Sequence, residues 1–471
     1  MSSLSFSPRR LAQNSASRLV TTIVGQGAKA AVAILVARYL GAAAFGTFSV
    51  AWTIAGIAAY YGAFGIDHLL VRELNRPEPR IGFRHSLPLV IALSAGVATA
   101  VVFGALILSS GTQVTPALIA ATPYVLATGA VLVVNATFHS RERLELESVT
   151  EAIEGAVGVI AAWIVLHLGG GVTEAILALS LGRFANLFAA WLIHRRLPAL
   201  PRPDLKIGLV RTVRLGAPMG LSRALRAVTQ RVDIVILGLF VAATDVGIYS
   251  AAVVAVIAAA DALGQIGRVA YPTMSRAEGA HHSDLRNAVQ FVWRVKMLMA
   301  LSAVAGLAIL ADPIIELLFG AEFTPAGPIL AMLSVTMLAR VFANFSGYVL
   351  YAVDRPWDRV QTLAVTAVVK TVACVVAIPV WGLWGAVGAA VITDVVYVVL
   401  MLWQIRTIRP PWYTGTGLAL AVATPVGLVA AFVPGPTVIS VLAGVAMFSV
   451  IVLTAWTRLQ HVLGSGLSQD P

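Results

Sequence analysis

The stretch ARYLGAAAFGTFSVAWTI, residues Ala37–Ile54, decides the architecture because the chain carries its pattern twice. The counterpart is LGLFVAATDVGIYSAAVV, residues Leu237–Val254. Each reads as the end of an apolar helix, a short loop of small residues, a Gly-x-aromatic-Ser group and the start of another helix. The matched positions are Gly46, Phe48 and Ser49 in the first copy and Gly247, Tyr249 and Ser250 in the second. A further correspondence follows in the same order. NATFHSRERLELESV from Asn135 and NFSGYVLYAVDRPWDRV from Asn344 each lead into a helix pair. Apolar sequence matches itself easily, so either match alone is weak, but their shared order implies duplication. The resulting plan is six helices, six related helices in the same orientation, and a final pair. Parallel repeats about an axis along the membrane normal form a known transporter architecture, with the substrate site between the halves.

Apolar segments of spanning length recur on both sides of these stretches. They lie near residues 18–40, 46–66, 86–108, 116–138, 148–168, 174–194, 215–240, 246–268, 289–310, 326–352, 360–380, 383–405, 413–433 and 436–456. A bilayer crossing takes about 20 residues, so the 471-residue chain has room for roughly fourteen. The composition agrees: 59% of residues are hydrophobic and only 12% charged, against about 25% charged in an average soluble protein. Disorder, a soluble multidomain enzyme and a disulfide scaffold are thereby excluded. The single cysteine, Cys374, leaves no disulfide framework and no CxxC metal site. Runs of about ten alternating residues, the signature of a membrane barrel, do not occur. The chain reads as an all-α polytopic membrane protein with about fourteen transmembrane helices.

The net charge of +11 is a membrane signature rather than a nucleic-acid one, because the bases sit in loops rather than in one patch. One set of connections holds them: Arg72, Arg76, Arg80 and Arg84; Arg141 and Arg143; Arg195 to Arg214; Arg268 to Arg286; Arg355 and Arg359; Arg406 and Arg409. The alternate set contains no Lys or Arg, around Gly41–Phe45, Ser109–Thr115, Gly169–Gly171, Val241–Asp245, Ala311–Gly327, Trp381–Gly382 and Pro434–Pro436. By the positive-inside rule, this alternation puts both termini in the cytoplasm of a multi-pass inner-membrane protein. It also supports the helix count, since one missed span would break it. The expected divisions are a cytoplasmic N-terminus (1–17), a first six-helix bundle (18–194) and a Pro-containing cytoplasmic linker (195–214). A second six-helix bundle (215–405), a C-terminal helix pair (413–456) and a cytoplasmic tail (457–471) complete the chain. The polar start, Met1 to Ser17, has no cleavage pattern after a short apolar core and is read as retained.

Ionisable residues inside spans cost roughly 2.5–3.5 kcal/mol each on insertion scales unless paired or hydrated. The seventh helix is the richest in them. Arg223, Arg226, Gln230 and Asp233 follow spacings of three, four and three and share one face. Snorkelling to the headgroups accounts moderately for Arg223 and less well for Arg226, so a hydrated, anion-attracting wall is the better reading. In the first helix, Gln26 and Lys29 share a face, and the repeat places Lys29 opposite Gln230. Arg340 and Asn344 share a face of the tenth helix. A central cavity rimmed by Lys29, Arg223, Arg226 and Arg340, with Gln26, Gln230, Asp233 and Asn344 among its polar groups, would be cationic and suited to phosphate. Two other pairs look structural. Glu154 and Arg183 face each other across one hairpin, and Lys370 and Asp394 take the corresponding place in the second half. Each is expected to lock its hairpin as a buried ion pair, with cation or proton coupling through Glu154 or Asp394 as the alternative.

Catalytic signatures are lacking: there is no GK[ST] P-loop, no HExxH and no GxSxG. No nucleotide site, cofactor or enzyme activity is expected. With LVARYLGAAAFGTFSV, then YGAFGIDHLLVREL, and RVDIVILGLFVAATDVGIYSAA in the second half, the sequence resembles the polysaccharide-biosynthesis (oligosaccharide flippase) branch of the multidrug/oligosaccharidyl-lipid/polysaccharide (MOP) exporter superfamily. The resemblance runs in order along nearly the whole chain, on soft Gly and aromatic positions.

It implies a V-shaped pair of six-helix bundles that moves an undecaprenyl-pyrophosphate-linked oligosaccharide from the cytoplasmic to the outer leaflet. Related lipid II flippases have two extra C-terminal helices, matched here by 413–456, bordering a groove for the lipid tail. Cationic cavity residues of relatives contact the pyrophosphate, a role carried over to Lys29, Arg223 and Arg226. The implied partners are a polyprenyl-pyrophosphate-linked glycan, membrane lipids, and polysaccharide polymerase or glycosyltransferases. The rivals are a lipid II flippase and a cation- or proton-coupled drug exporter of the same superfamily. A basic cavity disfavours cationic drugs, and a glycan polymerase would need a large outer loop that this chain lacks.

Overall fold

The computed structural model describes residues 8–76, 79–108, 114–198, 200, 209–276, 299–342 and 356–405. Among these residues every regular element is helical and no strand occurs. That is the expected answer of a chain that must satisfy its own backbone inside lipid. The helices are α1 (Pro8–Ala63), α2 (Ile66–Leu74), α3 (Phe83–Leu108), α4 (Val114–His139), α5 (Leu144–His167), α6 (Val172–Arg196), α7 (Leu209–Phe240) and α8 (Ala243–Arg276). They continue with α9 (Met299–Ile309), α10 (Ala311–Phe319), α11 (Ala326–Phe342) and α12 (Pro356–Ile405).

Seven helices among the described residues are long and apolar enough to cross a membrane, or eight if the bent pair α9–α10 is one span. Two of the seven stretches, Gly27–Leu74 and Trp357–Gln404, are 48 residues long. At 1.5 Å per residue that is about 72 Å, more than twice a bilayer core, so each holds two crossings. Their breaks fall at single glycines: Gly41 (φ 78°) in α1 and Gly382 (φ 54°) in α12. Both lie in the base-free connections expected from sequence, and positive φ is where only glycine turns without steric cost. Helix α7 is long enough, at 32 residues, but carries too many charges to read as an ordinary lipid-facing span. The connection Ala311–Gly327, expected to be a loop, instead folds into α10 and a 3-10 turn at Ala321–Phe323, with α10 bent 74° from α9. Its Ile315, Phe319 and Phe323 are buried, which gives the segment a reason to coil. The C-terminal pair expected at 413–456 lies outside the described residues.

The chain forms two compact units, residues Met1–Ser250 with Asp354–Ala389, and Ala251–Val353 with Ala390–Pro471. In the first, α1 packs on α3, α4, α5, α6 and α7, so that polar positions along α1 look into a helical surround. The core beneath α2 is built from Ala63, Ile66, Leu70, Val90, Val133 and Ala136. In the second, α10 packs on α11, with Ala311, Ile315, Ala326 and Leu330 buried.

The sequence repeat has a direct structural expression within the first unit. A Cβ on Gly46 would run into the Ala243 carbonyl and lie 2.9 Å from the Gly247 amide nitrogen. One on Gly247 would run into the Ala42 carbonyl and lie 3.2 Å from the Gly46 nitrogen. The matched glycines are thus each other's packing partner, with backbone against backbone. Their companions are equivalent too: Phe48 and Tyr249 are both buried, as are Ser49 and Ser250. Gly247→Leu is expected to cost at least the 1–3 kcal/mol typical of overpacking, because rigid backbone is what the side chain meets. Thermal unfolding in detergent measures it. Gly56→Ala, where a Cβ meets nothing, is the control and should leave the midpoint unchanged or slightly raised.

Candidate functional site

The polar interior of the first unit is organised by α1, α2, α4, α5, α6 and α7. Lys29, about a turn beyond Gly25 in α1, is solvent-accessible although it sits in an apolar span. Its electrostatic neighbours are Tyr60 of α1, Tyr124 of α4, Glu151 and Glu154 of α5, and Arg183 of α6. Acidic and phenolic neighbours of this kind offset the insertion cost that a lone ammonium would carry.

Glu154 and Arg183 form the ion pair expected of their hairpin. Arg183 donates Nη1 to Glu154 Oε2 at 2.5 Å, and Asn186 Nδ2 donates to the same oxygen at 2.7 Å. Arg183 Nε donates to Thr128 Oγ1 at 3.1 Å, and its guanidinium lies 5.4 Å from the centre of the Tyr124 ring. Both charges are buried and hydrogen-bonded, as a pair inside a span must be.

On α7, Arg223 is half-buried and Arg226 exposed, while Gln230 is half-buried and Asp233 only 2% exposed. The shared face therefore grades from accessible to fully enclosed. Arg223 is not an unneutralised cavity cation, as its spacing had suggested. Its Nη1 donates to Asp67 Oδ2 of α2 at 2.8 Å and its Nη2 to His68 Nε2 at 2.6 Å. The guanidinium also lies 5.7 Å from the Tyr60 ring centre. The reason is topological: the chain turns sharply at Phe64 and Gly65, both at positive φ, and this corner carries Asp67 against α7. Tyr60 thus sits beside Arg223 and is also among the phenols electrostatically coupled to Lys29.

Lys370 differs from expectation in its partner. Its Nζ lies 2.8 Å from Asp233 Oδ2 rather than pairing with Asp394 across the hairpin. Tyr249 donates its hydroxyl to the same oxygen at 2.8 Å. Asp233, expected among the cavity's polar groups, is instead enclosed by α7, α8 and α12. Asp394 is half-buried in the other unit. Arg340 also belongs to that unit, half-buried, with its Nε lacking a hydrogen-bond partner among the described residues. Asn344 and the Gln26 side chain lie outside the described residues.

Sequence reasoning missed Tyr60, Asp67, His68, Tyr124, Asn186 and the two acidic residues that accompany Glu154 along α5. Glu147, Glu151 and Glu154 follow spacings of four and three, which placed them on one helical face from the start. Glu147 accepts Asn135 Nδ2 at 3.3 Å and lies 2.6 Å from His139 Nε2. Asp67 and His68 stood inside a quoted motif but gave no signal of their own, since their partner is more than 150 residues away.

A family model described as polysaccharide biosynthesis protein matches residues 11–278, more than half of the chain and all of these first-unit helices up to α8. The chain belongs to that family. Among solved structures, this family member is similar to the lipid II flippase MurJ in an inward closed conformation, with a TM-score of 0.72 and 12% identity over 95% of this chain and 99% of that one. It is also similar to a MATE-family multidrug resistance transporter of the MOP superfamily, inward-facing, with a TM-score of 0.63 and 14% identity over 86% and 96% of the two chains. A MOP-superfamily transporter from Pyrococcus furiosus gives 0.57 and 13% identity over 88% and 97%. No curated protein sequence matches the chain. Family and fold together make it a polysaccharide-biosynthesis family member with the fold of the MurJ and MATE structures.

Proposed function

We propose that this chain moves a polyprenyl-pyrophosphate-linked oligosaccharide across the cytoplasmic membrane by alternating access, from the face bearing the basic loops to the opposite one. The observation that carries the reading is the set of accessible bases, Lys29 exposed on α1, Arg223 half-buried beside Tyr60 and Arg226 exposed one turn along α7. A diphosphate is a compact, multiply charged acceptor. Arginine forks and a lysine point charge are the side chains that replace its water. The sugar is polar enough to travel in a hydrated cavity, while the prenyl chain gains nothing by leaving lipid. Arg340 and Asn344 are proposed to meet the cargo from the second repeat, in a plan of two six-helix bundles and a C-terminal pair. The basic loops, both termini and the 195–214 linker are placed in the cytoplasm.

Full-length protein in vesicles carrying a fluorescent polyprenyl-pyrophosphate oligosaccharide tests this, with lipid II as the second cargo. Lys29→Ala and Arg226→Ala should each lower the initial flipping rate about tenfold or more, the worth of one charge-assisted contact. Arg226→Lys should recover only part, because a point charge does not replace a fork. Unchanged rates in both alanine variants would overturn the cationic headgroup site. A faster rate with lipid II would assign the cargo to peptidoglycan precursor rather than surface polysaccharide.

A further inference from the structure

We infer that the Asp67–Arg223 contact is a latch that the diphosphate headgroup itself unfastens. The inference rests on the headgroup reading above and gives Arg223 a second partner. Three observations converge on it. First, the latch closes a backbone seam: a Cβ on Gly65 would strike the Gly216 carbonyl and lie 2.5 Å from the Gly220 nitrogen, so the α1–α2 corner and α7 touch main chain to main chain. Pro218 lies between those two glycines, its carbonyl accepting Ser222 Oγ at 2.9 Å, and a helix is least stiff where proline and glycine coincide. Arg223 follows one turn later, on the seam's edge.

Second, the carboxylate holds Arg223 with one hand only. Asp67 Oδ2 accepts Nη1, while the buried Oδ1 has no hydrogen-bond partner among the described residues. The other contact of the guanidinium is a neutral imidazole nitrogen, since Arg223 donates and His68 Nε2 must accept. A buried carboxylate oxygen without a donor is an unfinished interaction, and a monodentate pair is a weak rival to a phosphate that presents several oxygens to the same fork. Third, the latch is within reach of the proposed headgroup site, because exposed Arg226 follows Arg223 by three residues on the same face of α7. The groups facing the exchange are Asp67 and His68 of α2, Tyr60 and Lys29 of α1, and His139 at the end of α4.

When the diphosphate takes Arg223, Asp67 loses its counter-charge and the seam between Gly65 and Gly216–Gly220 loses its tie. By linkage, the factor by which the headgroup favours the open seam is the factor by which an open seam tightens headgroup binding, so a variant that opens without ligand binds more tightly. Asp67 is thus a positioning residue that couples cargo arrival to movement of α7, and it never touches the cargo.

The test uses full-length protein carrying Ser222→Cys beside the seam, in nanodiscs, with maleimide labelling as the measure of opening. The probes are inorganic pyrophosphate and a short polyprenyl diphosphate, with sulfate as control. Either diphosphate should raise the labelling rate about tenfold, within the usual range of coupling, and sulfate should not. A response to the lipid alone would assign the key to the lipid-borne headgroup, whereas a response to both shows that the diphosphate suffices. Asp67→Asn should label fast without ligand and bind diphosphate about tenfold tighter. The swap Asp67→Arg with Arg223→Asp guards against a folding defect: it should restore slow labelling and lose the response to diphosphate. Slow labelling in Asp67→Asn, or a swap that still opens on diphosphate, would overturn the latch. Because no step reads translocation or sugar, a wrong glycan assignment leaves these outcomes standing.

Discussion

Arg183→Leu should destabilise the protein by about 3–5 kcal/mol, the cost of stranding one member of a buried ion pair. The substitution leaves Glu154 Oε2 with Asn186 as its remaining donor, and removes Thr128's guanidinium partner and the cation over Tyr124. Lys29, the other base near Glu154, is solvent-accessible and does not replace a fixed guanidinium fork. The expected result is a sharp fall in the detergent unfolding midpoint. Glu154→Gln with Arg183→Leu should recover a substantial part, since the double change removes the uncompensated charge. Glu154→Gln alone separates the two roles the sequence left open. If Glu154 carries the coupling ion, this variant stays folded and loses transport. If the pair is a lock, stability falls first and the residual folded fraction still transports.

Lys370→Met is the second large effect, again about 3–5 kcal/mol. Asp233 is 2% exposed, so loss of the ammonium 2.8 Å away leaves a charged carboxylate in a dry site with only neutral donors, the Tyr249 hydroxyl and the Ile234 amide, described against it. Tyr249→Phe should cost less, about 1–2 kcal/mol, because one neutral donor is removed and the charge stays paired. The order Lys370→Met above Tyr249→Phe, measured by thermal unfolding, is the discriminating outcome. Equal effects would mean that the Lys370 charge contributes no more at Asp233 than a neutral donor does.

The helical, membrane-spanning class was legible because lipid leaves the backbone one economical solution, and the matched glycines stood out because close backbone packing demands small residues. Gly46 and Gly247 show why: a position where two backbones touch admits one residue type. The Glu154–Arg183 pair was readable from a single hairpin, where sequence distance and spatial distance agree. Lys370 was misassigned for the opposite reason. Its hairpin partner by symmetry is Asp394, yet it meets Asp233 of α7, and no local spacing records which helix lies alongside which. Arg223 fails the same way. Its position on the α7 face was correct, but its neutralisation by Asp67 depends on a corner at Phe64–Gly65 whose positive φ values leave little trace in a hydropathy pattern. Charge placed along an element is a sequence property; charge left over after pairing is not.

The reciprocal glycine contact carries one last consequence. A residue that meets its own equivalent is what a homodimer shows at its twofold axis, where one surface must complement itself. In an ancestral half-length polypeptide that paired with its twin, a single codon would have governed both sides, and any enlargement there would have been felt twice. In the single chain the two positions are free to differ, and their flanks do, AFGTFS against DVGIYS, while both carry glycine.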